Sequence, residues 1–136
     1  MSKIFIEMGI KLQTIGIVAT DMGKTLNFYR TLGLPIPEGL DEEFNVDYET
    51  PSGITLGFLL EEAAKQADPN FKTPVVGQSM NLQFMVDSAA EVDTVYNRLI
   101  AAGYEGYAAP WDAFWGQRFG RVKDPDGRIV NIYAHI

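Results

Sequence analysis

Chemistry needs side chains of particular kinds, and this sequence of 136 residues is short of the most versatile ones. It contains no cysteine, which removes thiolate nucleophiles, disulfides and cysteine-based zinc sites together. Its one histidine, His135, stands next to last, so relays built on a central imidazole have nothing to work with. Carboxylates are plentiful: Glu38, Asp41, Glu42, Glu43, Asp47, Glu49, Glu61 and Glu62 lie between Arg30 and Lys65 with no intervening base. Such a run reads first as a solvated acidic surface. Its functional reading is a field that favours a cationic ligand. Arg118, Arg121, Lys123 and Arg128 gather further on, and a salt-bridged contact between the two parts of the chain accounts for both clusters equally well. The aromatics are more telling. Trp111, Phe114 and Trp115 fall between Pro110 and Gly116, in a segment that reads as a loop. Connectors seldom carry three large rings, because they expose what they cannot bury. Rings at the mouth of a cleft stack on planar ligands.

Composition narrows the setting. Eighteen acidic residues against 11 basic ones give a net charge of −7, which repels phosphate backbones and disfavours nucleic acid. Apolar residues make up 46% and charged residues 21%, as in a globular chain with a real core. No apolar run approaches the ~18 residues of a membrane span. The start, Met1 to Glu7, turns polar too soon for a secretory signal. The expectation is an acidic, cytoplasmic, single-domain protein with sparse chemistry.

The elements that must position these residues come twice. Thr50-Pro51-Ser52-Gly53 and Asp124-Pro125-Asp126-Gly127 are turn signals of one type, each between two β-like runs. Upstream of each predicted hairpin is a strand followed by a helix. Gln13 to Ala19 leads into a helix over 21–32, with Asp21 as N-cap and Gly33 and Pro35 as stop signals. Asn81 to Val86 leads into a helix over 88–102, where Ser88 and Glu91 form a capping box and Val92, Val95, Tyr96 and Leu99 an apolar stripe. The predicted fold is therefore α+β, two tandem βαβββ modules forming a curved mixed sheet around a cleft. The modules cover about 11–60 and 79–136. A connector over 61–78 starts Ala-rich, as a short helix would, and carries Pro69, Pro74 and Gly77. Residues 1–10 lie outside the repeat, as an added strand or an arm.

Strand alternation sorts side chains by face. Ile15, Ile17 and Ala19 oppose Thr14, Gly16 and Val18; Leu82, Phe84 and Val86 oppose Asn81, Gln83 and Met85. In the later strands Ile54, Leu56 and Phe58 oppose Thr55, Gly57 and Leu59, while Val130 and Ile132 oppose Ile129, Asn131 and Tyr133. One face is apolar and must pack under the helices. The other is mixed, neither core nor solvated surface, and suits the lining of a cavity. Candidate ligand-binding residues are therefore Thr14, Gly16, Gly57, Asn81, Gln83, Trp111, Phe114, Trp115, Asn131 and Tyr133.

The strand Thr14 to Ala19, followed by Asp21-Met22, Phe28-Tyr29 and Leu32-Gly33, resembles the vicinal oxygen chelate superfamily, as does Val122 to Arg128. That superfamily includes glyoxalase I, extradiol dioxygenases and bleomycin-resistance proteins. The segments Ala102 to Gly106 and Trp111 to Arg118 look closest to the antibiotic-binding, mitomycin-resistance-type branch. The resemblance implies a metal held by His and Glu side chains, two from each module. The matching positions here are Thr14, Gly57, Asn81 and Asn131, none of them a charged or imidazole donor, and a slip of one residue supplies none. The expectation is thus no metal, no cofactor and no Lewis-acid catalysis. The resemblance also implies a homodimer whose clefts join modules of both chains. For the acidic run it offers basic glycopeptide drugs as the precedent for a cationic ligand. Three functional readings follow: metal-free sequestration of a planar or heterocyclic compound, a lyase or dioxygenase with a non-standard site, and a domain kept for association alone.

Overall fold

The computed structural model describes residues 9–73 and 80–136. Pro74, Gly77, Gln78 and most of the 1–10 arm lie outside the described residues. The first module comprises β1 (Thr14–Ala19), α1 (Met22–Leu32), β2 (Asn45–Glu49) and β3 (Thr55–Leu60), with α2 (Glu61–Ala67) directly after it. The second comprises β4 (Leu82–Met85), α3 (Ala89–Ala101), β5 (Gly106–Ala113), β6 (Gln117–Lys123) and β7 (Ile129–His135). Among the described residues no helix is long and apolar enough to cross a membrane.

Local signals explain the elements. The Asp21 carboxylate accepts from the Lys24 N–H at the start of α1, and Ser88 does the same for Glu91 on α3. Gly33 ends α1 at φ 132°, a conformation that a side chain resists. Both hairpins close alike: the Gly53 N–H donates to the Thr50 carbonyl and the Gly127 N–H to that of Asp124, each at 2.9 Å. Their strands form two sheets, ordered β1-β3-β2 and β4-β7-β6-β5, with parallel pairing only at β1–β3 and β4–β7.

The modules differ in two details. In the first, residues 34–43 stay outside any strand. Pro35 and Pro37 remove two ladder donors, and Arg30 clamps the segment by donating to the carbonyls of Ile36 and Pro37. In the second, Trp111 lies in strand β5 and not in the expected loop; only Phe114 and Trp115, with Gly116, form the turn. Pro110 fails to end the strand because β5 is an edge strand whose register with β6 shifts between Ala108 and Trp111. A bulge absorbs the missing N–H.

One core joins both modules. Ile17, Leu56 and Phe58 from the first sheet and Val122, Val130 and Ile132 from the second pack with Leu26, Phe28, Val92 and Leu99 of the two helices. Tyr29 of α1 touches Phe58 on one sheet and Phe84 on the other. Its hydroxyl donates at 2.9 Å to the buried Asp124 carboxylate, which also receives Arg128 at 2.7 Å and two backbone N–H groups of its own turn. Thr20 reaches the same turn by donating to Asp126 at 2.6 Å, and Arg98 donates to the carbonyls of Thr31 and Leu32 at the end of α1.

Charge pairing follows proximity within modules. Arg118 pairs with Asp112 and Asp93, Lys123 with Glu105, and Arg128 with Asp124 and Asp126. The hydrogen bond from Arg118 holds the Asp112 carboxyl below its ordinary range. Arg30 meets Glu38 and Asp41 of its own loop. Among the described residues no pair joins the acidic run to the second hairpin, so the inter-module contact, one of the two accounts of these clusters, is not the one the structure follows. Neighbours along a turn or a strand register are simply nearer.

Burial, then the Asp124 charge, raise the Tyr29 phenol well above its ordinary value of 10.0. The neutral phenol is thus favoured in the folded state. Its contribution is complete below the unfolded value and is lost as pH climbs past it toward the folded one. Tyr29→Phe is expected to lose about 1 kcal/mol at neutral pH and to soften less than the parent above pH ~10. Asp124→Ala is expected to lose about 3 kcal/mol, because it strands a buried hydroxyl and uncouples Arg128. Urea denaturation measures both. Losses near zero in the two variants would mean that apolar packing alone holds the modules together.

Candidate functional site

The shared core occupies the helix-side face of both sheets, so the opposite faces turn outward. On the first sheet this outer face carries Thr14, Gly16, Asn45, Asp47 and Glu49, all exposed. Asp47 is paired with Gly57, and a Cβ on Gly57 would sit 3.2 Å from the Asp47 carboxylate and 3.3 Å from the Thr14 methyl. Glycine there keeps the neighbouring strands' side chains in place; alanine would press on both.

The outer face of the second sheet is built in rows set by strand register. One row runs Gln83, Asn131, Arg121; the next runs Met85, Tyr133, Phe119, Trp111. The second row continues into the turn as a wall of rings. Phe119 stacks on Tyr133 at 6.0 Å, and Trp111 and Trp115 each meet Phe119 edge-on at 5.6 Å. Phe114 meets Trp115 at 5.1 Å. The wall stays open: Trp111 is 39% exposed, Trp115 47% and Phe114 97%. A hydrogen bond from the Trp115 indole to Gln117 fixes that ring's direction. His135 ends the strand, exposed, with its ring 5.9 Å from Tyr133.

A groove of about 610 Å³ between the modules adjoins this wall. Asn81, Gln83 and Tyr133 line it together with Met85 and the turn around Pro51. The structure thus brings together Asn81, Gln83, Tyr133, Trp111, Phe114 and Trp115 as one continuous surface, with Tyr133 common to groove and wall, while Asn131, paired in register with Gln83, is buried. Thr14, Gly16 and Gly57 lie apart from it on the other sheet's outer face. Sequence reasoning passed over Arg121, Phe119, Met85 and Tyr107. Alternation along Phe119, Arg121 and Lys123 was the available signal, hidden because a hairpin rich in bases looks like an ion-pair partner.

The positions where a metal is implied do not suit one. Thr14 and Gly57 offer a neutral hydroxyl and no side chain. Register places Gly16 opposite Gly57 and Gln83 opposite Asn131, again without a charged donor. Asn131 is buried, and its amide oxygen accepts from the Arg121 Nε at 2.9 Å. A guanidinium therefore stands where a divalent cation would have to approach, and like charges repel. Among the described residues no three His, Cys, Asp or Glu side chains gather as a metal site.

Comparison with known proteins agrees with this architecture. Residues 11–132 match the model of the Glyoxalase/Bleomycin resistance protein/Dioxygenase superfamily. The chain is 28% identical over 129 residues to the uncharacterized protein YraH of Bacillus subtilis, covering 91% of this chain and 98% of that one. A glyoxalase/bleomycin resistance protein/dioxygenase family enzyme from Burkholderia phytofirmans shares the fold at TM-score 0.80 and 22% identity, over 93% of this chain and all of that one. A lactoylglutathione lyase from Agrobacterium tumefaciens does so at TM-score 0.67 and 23% identity, over 91% of this chain and 92% of that one.

Metal-free purified protein titrated with Zn, Ni, Mn or Fe(II) is expected to keep its melting temperature and to retain no stoichiometric metal after desalting. One equivalent held through desalting and released by chelator would overturn this reading of the four positions.

Proposed function

The chain belongs to the glyoxalase/bleomycin resistance protein/dioxygenase superfamily, and from that premise we propose that it is a cytoplasmic, metal-free binder that sequesters a planar or heterocyclic small molecule. The observation that carries the reading is the open ring wall beside a row of amides. An exposed cluster of this size on a sheet face is unfavourable in water unless something covers it. Trp111, Phe114, Trp115 and Tyr133 supply stacking surface over the buried Phe119, Gln83 and Asn81 supply hydrogen-bonding direction, and the buried Asn131 amide orients Arg121. No side chain on this surface is an activated nucleophile, so binding is the chemistry these residues can perform. The alternative, a lyase or dioxygenase, needs a non-standard site, because Thr14, Gly57, Asn81 and Asn131 supply no charged donor, and among the described residues no three His, Cys, Asp or Glu side chains gather to form one. Kinship with the mitomycin-resistance-type branch rests on the Trp111 to Arg118 segment, whose rings form the wall.

The proposal includes a homodimer. Among the described residues the outer faces of both sheets carry exposed side chains, and on the first sheet Thr14, Gly16 and Asp47 are exposed around the buried Gly57. Setting the first sheet of one copy over the second sheet of another would close two equivalent clefts under a two-fold axis. Light scattering is expected to give twice the chain mass of 15.1 kDa at micromolar concentration. A monomer there would remove the dimeric cleft and leave the groove to bind alone.

Trp111→Ala and Trp115→Ala are expected to weaken binding of a planar ligand by about tenfold each, the equivalent of ~1.4 kcal/mol of lost stacking. Both rings are half-exposed, so the melting temperature should move little. Truncating a fully buried Trp would instead cost roughly 3–5 kcal/mol of stability. Thermal melts and calorimetric titrations of the same samples separate these outcomes. Strongly lowered melting with unchanged affinity would make the rings structural.

A further inference from the structure

Among the described residues, every arginine but one is neutralised or engaged by backbone carbonyls. Arg30, Arg118 and Arg128 pair with carboxylates, and Arg98 is spent on two backbone carbonyls. Arg121 differs. Its Nε donates to Asn131 at 2.9 Å, and its guanidinium carbon lies 5.0 Å from the centroid of the Tyr107 ring. Among the described residues no carboxylate comes within 4.0 Å of it, and its terminal nitrogens have no acceptor. It is half-buried on the outer face of the second sheet, beside the row of rings and one strand from Asn131.

This is an oriented cation and not a loose surface one. The Asn131 amide is itself buried, so it fixes the plane of the guanidinium, and the Tyr107 face restricts it from the other side. Lys123, the next base on that face, already has Glu105 at 3.0 Å. A guanidinium held this way presents its terminal N–H groups as a fork that matches a carboxylate or phosphate. We propose that Arg121 is a specificity-determining residue that receives an anionic group of the ligand, so that the ligand class is an aromatic or heteroaromatic acid. The inference deepens the planar-ligand reading and rests on it: rings stack on the wall while the acid group meets Arg121. It departs from the cationic ligand that the acidic run suggested. That run lies on the first module, and among the described residues no carboxylate pairs with Arg121, Glu105 being held by Lys123.

The test uses three probes on one naphthalene frame, the isosteric pair 2-naphthoate and 2-naphthamide and the cationic 2-naphthylmethylamine, titrated into the full-length protein. Calorimetry gives affinities. The chain has only two tryptophans, Trp111 and Trp115, so two indole N–H resonances report binding at the wall itself. Naphthoate is expected to bind at least about tenfold tighter than naphthamide, and the amine weakest, as a charge-assisted bond implies. In Arg121→Gln the naphthoate advantage should vanish while naphthamide affinity stays within about twofold, since stacking is untouched. If naphthamide or the amine binds the parent as tightly as naphthoate, the anionic class is wrong while the planar-ligand reading stands. A naphthoate preference that survives in Arg121→Gln also overturns it. So does loss of dimer in that variant with unchanged probe preference, for then Arg121 serves an acidic residue of a second copy. If no probe moves either indole signal, the planar-ligand reading fails and this inference with it. Should Arg121→Gln not fold, the naphthoate-to-naphthamide ratio in the parent protein, measured at low and high salt, decides alone: a ratio near one overturns the proposal.

Discussion

The Asp124 carboxylate sits at the turn of one module and is completed by a side chain of the other. A buried charge tolerates no such position unless it is met by hydrogen bonds and counter-charge. Here the Tyr29 hydroxyl, Arg128 and two turn amides meet it. The corresponding position in the first module is Thr50, whose hydroxyl bonds only within its own turn. The repeat is therefore not symmetric where it matters: one turn is a local device and the other ties both halves. Tyr29 reaches Asp124 because α1 packs against β3 of its own module and α3 of the other, in the one core that both sheets' helix-side faces share.

What is left outward then follows without further specification. The strands that bury Val130 and Ile132 must display Asn131 and Tyr133, because side chains alternate along a strand. The first sheet likewise displays Thr14, Gly16 and Asp47. Inner faces are apolar and close-packed, whereas outer faces combine small residues, amides and rings. The two outer faces belong to different sheets, and among the described residues the groove between the modules is lined by Asn81, Gln83, Met85 and Tyr133 of the second and not by Thr14, Gly16 or Gly57 of the first. Geometry of this kind makes the second copy part of the functional proposal and not an accessory to it.

The order of strands, helices and hairpins was legible because several local signals agreed: capping residues, turn chemistry and hydrophobic period all marked the same boundaries. Face assignment was legible for the same reason, and the amide row falls where alternation put it. Two features escaped. Pro110 reads as the end of a strand, since nothing local announces that a bulge on an edge strand will absorb it. Arg121 was hidden among Arg118, Lys123 and Arg128, although strand parity separates it from Arg118. Arg118 is on the helix side, within reach of Asp93 on α3, whereas Arg121 faces outward with Phe119. Net charge along a hairpin says little until each residue is assigned to a face.

That separation bears on how a fold used elsewhere for metal chemistry can serve binding. A divalent ion in a cleft supplies positive charge, fixed direction and Lewis acidity. Arg121, pinned by Asn131 and covered by Tyr107, supplies the first two and not the third. It attracts and aligns an anionic oxygen, but it opens no coordination position and cannot lower the pKa of a bound water as a metal does. Asn131 occupies the position where the resemblance implies a metal ligand, and it ligates the guanidinium instead. Beside it, the rings from Tyr133 to Trp115 add dispersion and stacking surface. Charge without Lewis acidity, next to a broad aromatic surface, is the combination on which the proposed binding role rests.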